Sequence, residues 1–370
     1  MNSRALVLVA ALLLGALVAP AFAGELEQEF SHPPDSARPW VYWWWLNGNA
    51  SKEGITRDFE EMKRQGIGGA LLFDAGEAIT NDVPKGPAFM STEWRELFRH
   101  SVREADRCGL VLTVNLCSGW DCGGPWVTPE QAAKQLVSAE TLLEGGAHVT
   151  MVLPQPQVAL GFYHDVVVLA QRVIDRQGAT PVVWERARAL DVSRFMDAQG
   201  RLDWEAPAGS WKVLRIGCTL TGRPTANPGS GPGGLEIDPM CAEAMDAHFA
   251  ETGAKLIADA GGLAGKTLQY FHIDSWEIGQ PTWTPRMREE FRQRRGYDPF
   301  PWLPAMLGLT VDSAAETKRF VQDFRRTVAD LIARNYYGRL QELSVKGGLR
   351  GAHSEAGGPI GVHHFWADAL

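Results

Sequence analysis

Asp274 and Glu277 stand three residues apart in the stretch FHIDSWEIG, residues 271–279, at the far end of a run apolar enough to be a buried strand. Strand alternation puts Phe271, Ile273 and Ser275 on one side and His272, Asp274 and Trp276 on the other, with Glu277 at the exit. A carboxyl beside an indole stays protonated closer to neutral pH because an apolar wall disfavours its charge, and a general acid needs that property. Glu355, in GAHSEAGGP, ends a second candidate strand in the same manner, behind His353 and Ser354. Two carboxylates brought to one pocket by different strands meet the requirement for breaking a glycosidic bond, and a gap of about 6.5 to 9.5 Å between them would mean inversion. The plainer alternatives are a helix cap or salt bridge for Asp274 and Glu277, and a turn-binding role for Glu355.

Fourteen tryptophans are many for 370 residues, and Trp43, Trp44 and Trp45 are the densest group. Sugars stack their apolar C–H faces on indole while Asn and Asp read their hydroxyls. Trp45, Asn47, Asp74, Asn115, Trp120, His272 and Trp276 therefore form a candidate sugar-lined cup, with Trp43 or Trp44 left to fill core. The histidines belong to no HExxH or other ligand-spaced pair, so zinc is not indicated. No GxSxG elbow supports a serine hydrolase, and no GxGxxG or GxxxxGK[ST] supports nucleotide binding.

These residues need a frame. Residues 24–123 read as strand, helix, strand, helix, strand: WVYWWWLNG, then an amphipathic helix capped by Ser51 and ended by Gly66, GGALLFDAG, a helix capped by Ser91, and LVLTVNLCSGW. Continuous apolar strands between amphipathic helices predict a parallel sheet covered by helices. Polar and aromatic groups at successive C-terminal strand ends are what a barrel active site uses. From about residue 134 to 220 the period becomes alternating, as in HDVVVLAQRV and GSWKVLRIGCTL, which predicts an inserted antiparallel β unit. The α/β rhythm then returns with LEIDPM, one helix from about Cys241 to Ala260, TLQYFHIDSWE, helices across residues 284–347, and LRGAHSEAGGP. This gives six candidate parallel strands, near residues 41, 69, 111, 235, 268 and 349, of the eight in a (β/α)8 TIM-type barrel. The expected division is a leader at 1–23, a first barrel part at 24–133, the β insertion at 134–220, and a continuation at 221–370 in which the barrel is unfinished.

A net charge of -8 with dispersed Lys and Arg offers no polyanion surface, so nucleic acid is not an expected partner. Residues 1–23 combine an early Arg, an apolar run and Ala21-Phe22-Ala23, the pattern of a cleaved signal peptide, which predicts export to the periplasm or medium and a mature start at Gly24. No later run approaches membrane-spanning length. Five cysteines with no CxxC pair indicate no full disulfide scaffold and allow at most one or two bridges; Cys117 and Cys122 are the nearest pair, either bridged or as buried thiols.

The motifs WWWLNGNASKEGITRDFEEMKRQGIGGALLFDAG, GGPWVTPEQA, GLEIDPM and HIDSWEIGQPTWTPRMREEFRQRRGYDPFPWLP, in this order, resemble glycoside hydrolase family 106, the α-L-rhamnosidases. The resemblance runs from about Phe30 to the last residue. It implies a (β/α)8 barrel with inserted β structure, inverting hydrolysis of α-L-rhamnosides and a calcium ion near the sugar, with no ligand-spaced loop to name its ligands. It also implies that Glu277 is one catalytic carboxylate, with Asp274 important beside it. It implies further that the partner glutamate lies beyond Leu370, in which case Glu355 is a pocket residue and not the partner. Two other readings remain: a retaining glycosidase of different specificity, and a non-catalytic glycan-binding or inactive barrel protein.

Overall fold

The computed structural model describes residues 27–77, 82–173, 183–274 and 281–354. The chain enters a parallel sheet at Trp40–Leu46 (β1), followed by the helix Lys52–Arg64 (α1), Gly69–Ala75 (β2), the helix Thr92–Cys108 (α2) and Val111–Ser118 (β3). Ser51 starts α1 by accepting a hydrogen bond from Gly54 N, and Ser91 does the same for α2 through Trp94 N. Gly109, at φ 76°, stops α2 in the left-handed conformation that a side chain resists. A two-residue strand, Gly123–Gly124 (β4), leads away from the sheet.

Next comes an antiparallel excursion formed by Lys134–Gly145 (β5), His148–Val152 (β6), Tyr163–Arg172 (β7), Ala189–Asp191 (β8), Arg201–Glu205 (β9) and Gly209–Leu220 (β10). Four of these strands make a sheet in the order β5-β10-β7-β8, and β6 pairs with β9. Outgoing β5 and returning β10 are partners along their whole length, from Lys134 opposite Leu220 to Gly145 opposite Gly209. The unit has its own apolar cluster, with Leu153, Val168, Leu202, Trp204 and Trp211, distinct from the main core. Trp204 and Trp211 meet there edge to face at 5.1 Å.

The chain then passes through Leu235–Glu236 (β11), the helices Ala242–Glu251 (α3) and Gly253–Ala260 (α4), Leu268–Ile273 (β12), the helices Met287–Arg295 (α5), Ala314–Ile332 (α6) and Arg339–Lys346 (α7), and Gly351–Ser354 (β13). A π-helical turn, Ala333–Gly338, joins α6 to α7. The single helix expected up to Ala260 is two. Thr252 leaves helical geometry at φ -119° and ψ -84°, where its hydroxyl donates to His248 O.

The main sheet has the order β1-β2-β3-β12-β13, and every neighbouring pair is parallel. The sixth strand predicted near residue 235 is not part of it: β11 pairs antiparallel with β4 beside the sheet. Among the described residues the sheet is open between β1 and β13, so the α/β class stands and a closed eight-stranded ring is not formed. Helices bury one face of the sheet. Trp43 and Trp45 lie on that face, against Phe59 of α1 and Trp94 of α2, in a continuous core with Phe98, Val114, Phe249 and Phe271. Arg95 and Arg99 of α2 both bind Asp259 of α4, tying neighbouring helices together. Among the described residues no helix is long and apolar enough to cross a membrane.

Candidate functional site

The other face of the sheet is concave and aromatic. Alternation carries Trp40, Tyr42 and Trp44 of β1 to it, together with Leu71 and Phe73 of β2, Thr113 and Asn115 of β3, Tyr270 and His272 of β12, and His353 of β13. Toward the C-terminal strand ends Trp44 meets Phe73 at 4.7 Å and Trp120 at 5.9 Å, and Phe73 meets Trp120 and His272 at 5.7 Å each. Below this rim a cleft of about 540 Å³ is lined by Trp40, Tyr42, Leu71, Thr113, Tyr270, His272 and His353.

Asn115 and His272 form a buried polar pair in this aromatic setting. The Asn115 amide nitrogen donates to Cys117 O and Gly119 O, which leaves its oxygen, 3.2 Å from His272 Nδ1, as the acceptor. His272 therefore carries its proton on Nδ1 and keeps Nε2 as an acceptor. Burial, with the His353 charge second, pushes its pKa down to about 3, so the ring is neutral throughout the working range. Asp274, directly beyond β12, is also buried.

Two members of the predicted cup turn away from it. Trp45 is 1% exposed and packs edge to face on Trp43 and Trp94 in the core, whereas Trp44 is 43% exposed and supplies the rim. One step along a strand changes the face, and the helix-side core claims Trp43 and Trp45. Asp74 is on the helix side for the same reason. Its carboxylate accepts from Trp94 Nε1 at 3.0 Å and from Ser118 Oγ at 2.5 Å. Asn47, at φ 53°, accepts from Glu77 N and donates to Val83 O, so its amide secures a rim loop. Trp276, Glu277 and Glu355 lie outside the described residues, as does the segment 1–23 expected to be a leader.

Asp74 also begins the network that fastens the loop between β10 and β11 over the strand ends. Ser118 Oγ, donating to Asp74, accepts from Gly229 N; Asp121 accepts from Ala226 N; and Trp120 N donates to Ala226 O. Gly119 allows this approach, since a Cβ there would sit 2.0 Å from Ala226 O. Burial raises the Asp74 carboxyl from 3.8 to about 6, against the opposing hydrogen bonds from Ser118 and Trp94. The folded state thus favours the protonated acid; the stability it contributes is complete below pH 3.8 and is lost as pH rises through about 6. Asp74→Asn is neutral at every pH, so its stability relative to the parent should shift in its favour by about 2 kcal/mol between pH 4 and pH 7. Urea unfolding at both pH values measures this, and an unchanged difference would mean an ordinary Asp74.

Glu236 was not among the residues expected at the site. It is 2% exposed, and neither of its carboxylate oxygens has a hydrogen-bond partner in the structure. Burial first, then the nearby Asp121, pushes its pKa far above the usual carboxylate range, so it is a neutral acid. Asp238, two residues on, is raised to about 6, chiefly by burial and against the nearby Lys134 ammonium, 4.0 Å away. The signal was present in LEIDPM, where two acids alternate inside an apolar strand pattern.

Comparison with known proteins places this geometry. The family model described as alpha-L-rhamnosidase, glycoside hydrolase family 106, matches residues 31–185 and 170–364. A curated protein of Formosa agariphila named "Putative beta-glucuronidase" is 36% identical over 91% of this chain and 31% of its own length. Among solved structures, a rhamnosidase from Novosphingobium sp. PP1Y superposes with a TM-score of 0.75 at 27% identity, over 90% of this chain and 47% of its own. The chain thus spans about a third of the curated relative and about half of the solved one.

Proposed function

The chain belongs to glycoside hydrolase family 106, the α-L-rhamnosidases, and from that membership we propose that it serves to cleave terminal α-L-rhamnosyl residues from glycans or glycosides with inversion. The observation that carries this reading is the aromatic rim of Trp44, Phe73 and Trp120 over the neutral Asn115–His272 pair, with Asp274 entering beside it at the end of β12. Indole faces hold a sugar's C–H surface, and the His272 Nε2 acceptor, oriented by Asn115, can read a hydroxyl without introducing charge. In this reading Glu277 donates a proton to the departing glycosidic oxygen, Asp274 orients the ring, Glu355 lines the pocket, and a second carboxylate activates water on the opposite face. The five parallel strands are taken as part of a (β/α)8 barrel whose C-terminal strand ends carry the site. Action outside the cytoplasm goes with the Ala21-Phe22-Ala23 pattern, and a mature terminus at Gly24 is its check.

The two named relatives point to different sugars, and the rhamnoside reading follows the family model and the solved rhamnosidase. Calcium is proposed on the family resemblance alone. Among the described residues no group of three or more His, Cys, Asp or Glu is placed to hold a metal, so no step is derived through the ion. One assay addresses sugar and metal together. The whole natural protein should release p-nitrophenol from the α-L-rhamnoside and not from the β-D-glucuronide, lose this activity to a chelator and regain it with calcium. Preference for the glucuronide would sink the specificity, full activity after exhaustive chelation would remove the metal, and rhamnose binding without turnover would support a glycan-binding protein.

A further inference from the structure

Cys117, the penultimate residue of β3, and Cys122, directly before β4, bracket the turn Ser118 to Asp121. Both side chains are fully buried, and their Sγ atoms lie 3.2 Å apart. We propose that these two cysteines form a disulfide that staples this turn to the wall of the candidate site.

The backbone on either side is held by hydrogen bonds to other elements. Leu116 O is bound by the His248 ring at 3.0 Å, and Cys122 N donates to Tyr336 Oη at 3.4 Å, on the π-helical turn. A disulfide bond is about 2.05 Å long, so the two sulfurs must close from their 3.2 Å separation. The other three cysteines are on separate elements: Cys108 in α2, Cys218 in β10, and Cys241 ahead of α3, where its thiol donates to Glu243. The bracketed turn supplies Ser118 and Asp121 to the loop network and Trp120 to the aromatic rim, so the cross-link would fix three groups at once.

The bond forms by thiol–disulfide exchange with a small-molecule or protein disulfide oxidant. One cysteine thiolate attacks the oxidant disulfide and expels its first thiol. The second cysteine, after losing its proton, attacks the resulting mixed disulfide and expels the other. The two protein thiols are oxidised to one S–S bond, the oxidant disulfide is reduced to two thiols, and the cysteine protons end on the leaving thiolates. Full burial places this exchange before the turn closes during folding, and afterwards shields the bond from reductants.

The test uses soluble chain recovered from the oxidising periplasm of an expression host, unfolded in denaturant with an alkylating agent and mapped by mass spectrometry. A Cys117–Cys122 peptide two hydrogens lighter than the dithiol form is expected, with Cys108, Cys218 and Cys241 alkylated. Alkylation of both Cys117 and Cys122, or a cross-link from either to another cysteine, overturns the proposal. As a second measurement, Cys122→Ser should melt roughly 3–6 °C below the oxidised parent. The gap should disappear against a parent purified fully reduced; an equal gap against both would assign the loss to packing.

Discussion

Replacing Glu277 with Gln is expected to slow hydrolysis of an unactivated rhamnoside by about 10²- to 10⁴-fold, the range of general acid catalysis. Gln keeps the shape of the side chain and cannot transfer a proton. An alkoxide is a poor leaving group, so a natural rhamnoside depends on protonation at its glycosidic oxygen. A nitrophenolate leaves without much help, and the loss on an activated aryl rhamnoside should be far smaller. The ratio of the two losses, measured as kcat/KM with the whole protein, identifies the role. Equal losses would make Glu277 the base or a metal ligand, and unchanged rates would leave it as a helix cap.

Neighbouring tryptophans on β1 should separate by the same kind of contrast. Trp45→Ala removes a fully buried indole from between Trp43 and Trp94 and should cost about 3–5 kcal/mol of stability, the usual penalty for truncating a core aromatic. Trp44→Ala opens no core cavity, since that ring stands on the concave face beside Trp120. Its stability should change little, while rhamnoside affinity should weaken about tenfold, the value of one good aromatic contact. Denaturant unfolding and substrate titration on both variants decide the matter. A stable Trp45→Ala protein with weakened substrate binding would reverse the assignment of the two faces.

That pair also shows where sequence reading succeeded and where it ran out. The βαβαβ order, the Ser51 and Ser91 caps and the change to antiparallel structure at Lys134 were legible, because caps and hydrophobic period are local signals. The parity of WVYWWWL was not. Three consecutive indoles suit either face, and only the helices packed behind the sheet assign Trp43 and Trp45 to the core. Asp74 misled for the same reason: its position at a strand end was legible, but its partner Trp94 lies twenty residues away on α2. Leu235–Glu236 read as a sheet strand because its alternation fits any strand, and its pairing with Gly123–Gly124 is long-range. Asn115 and His272 were assigned to one site on strand-end position alone, and their hydrogen bond across 157 residues adds a tautomer that no local pattern contains.

The ladder between β5 and β10 has a consequence for how this molecule can change. Its two ends at the main sheet, Lys134 and Leu220, are directly opposed, and Ala133 O accepts from Thr221 N immediately outside them. The excursion therefore leaves and returns through a single gate about one strand spacing wide, some 5 Å. Anything built beyond that gate can be lengthened, shortened or exchanged in matched residue pairs without altering the distance the rest of the chain must span. The twelve paired positions of each strand form a stem roughly 40 Å long, and the excursion also leans on the body of the molecule where Trp184 pairs with Val311 and Arg186 with Asp312, so its freedom to change lies in the parts away from that contact. Architecture of this kind lets one part of a protein diversify while the part it grows from keeps its dimensions.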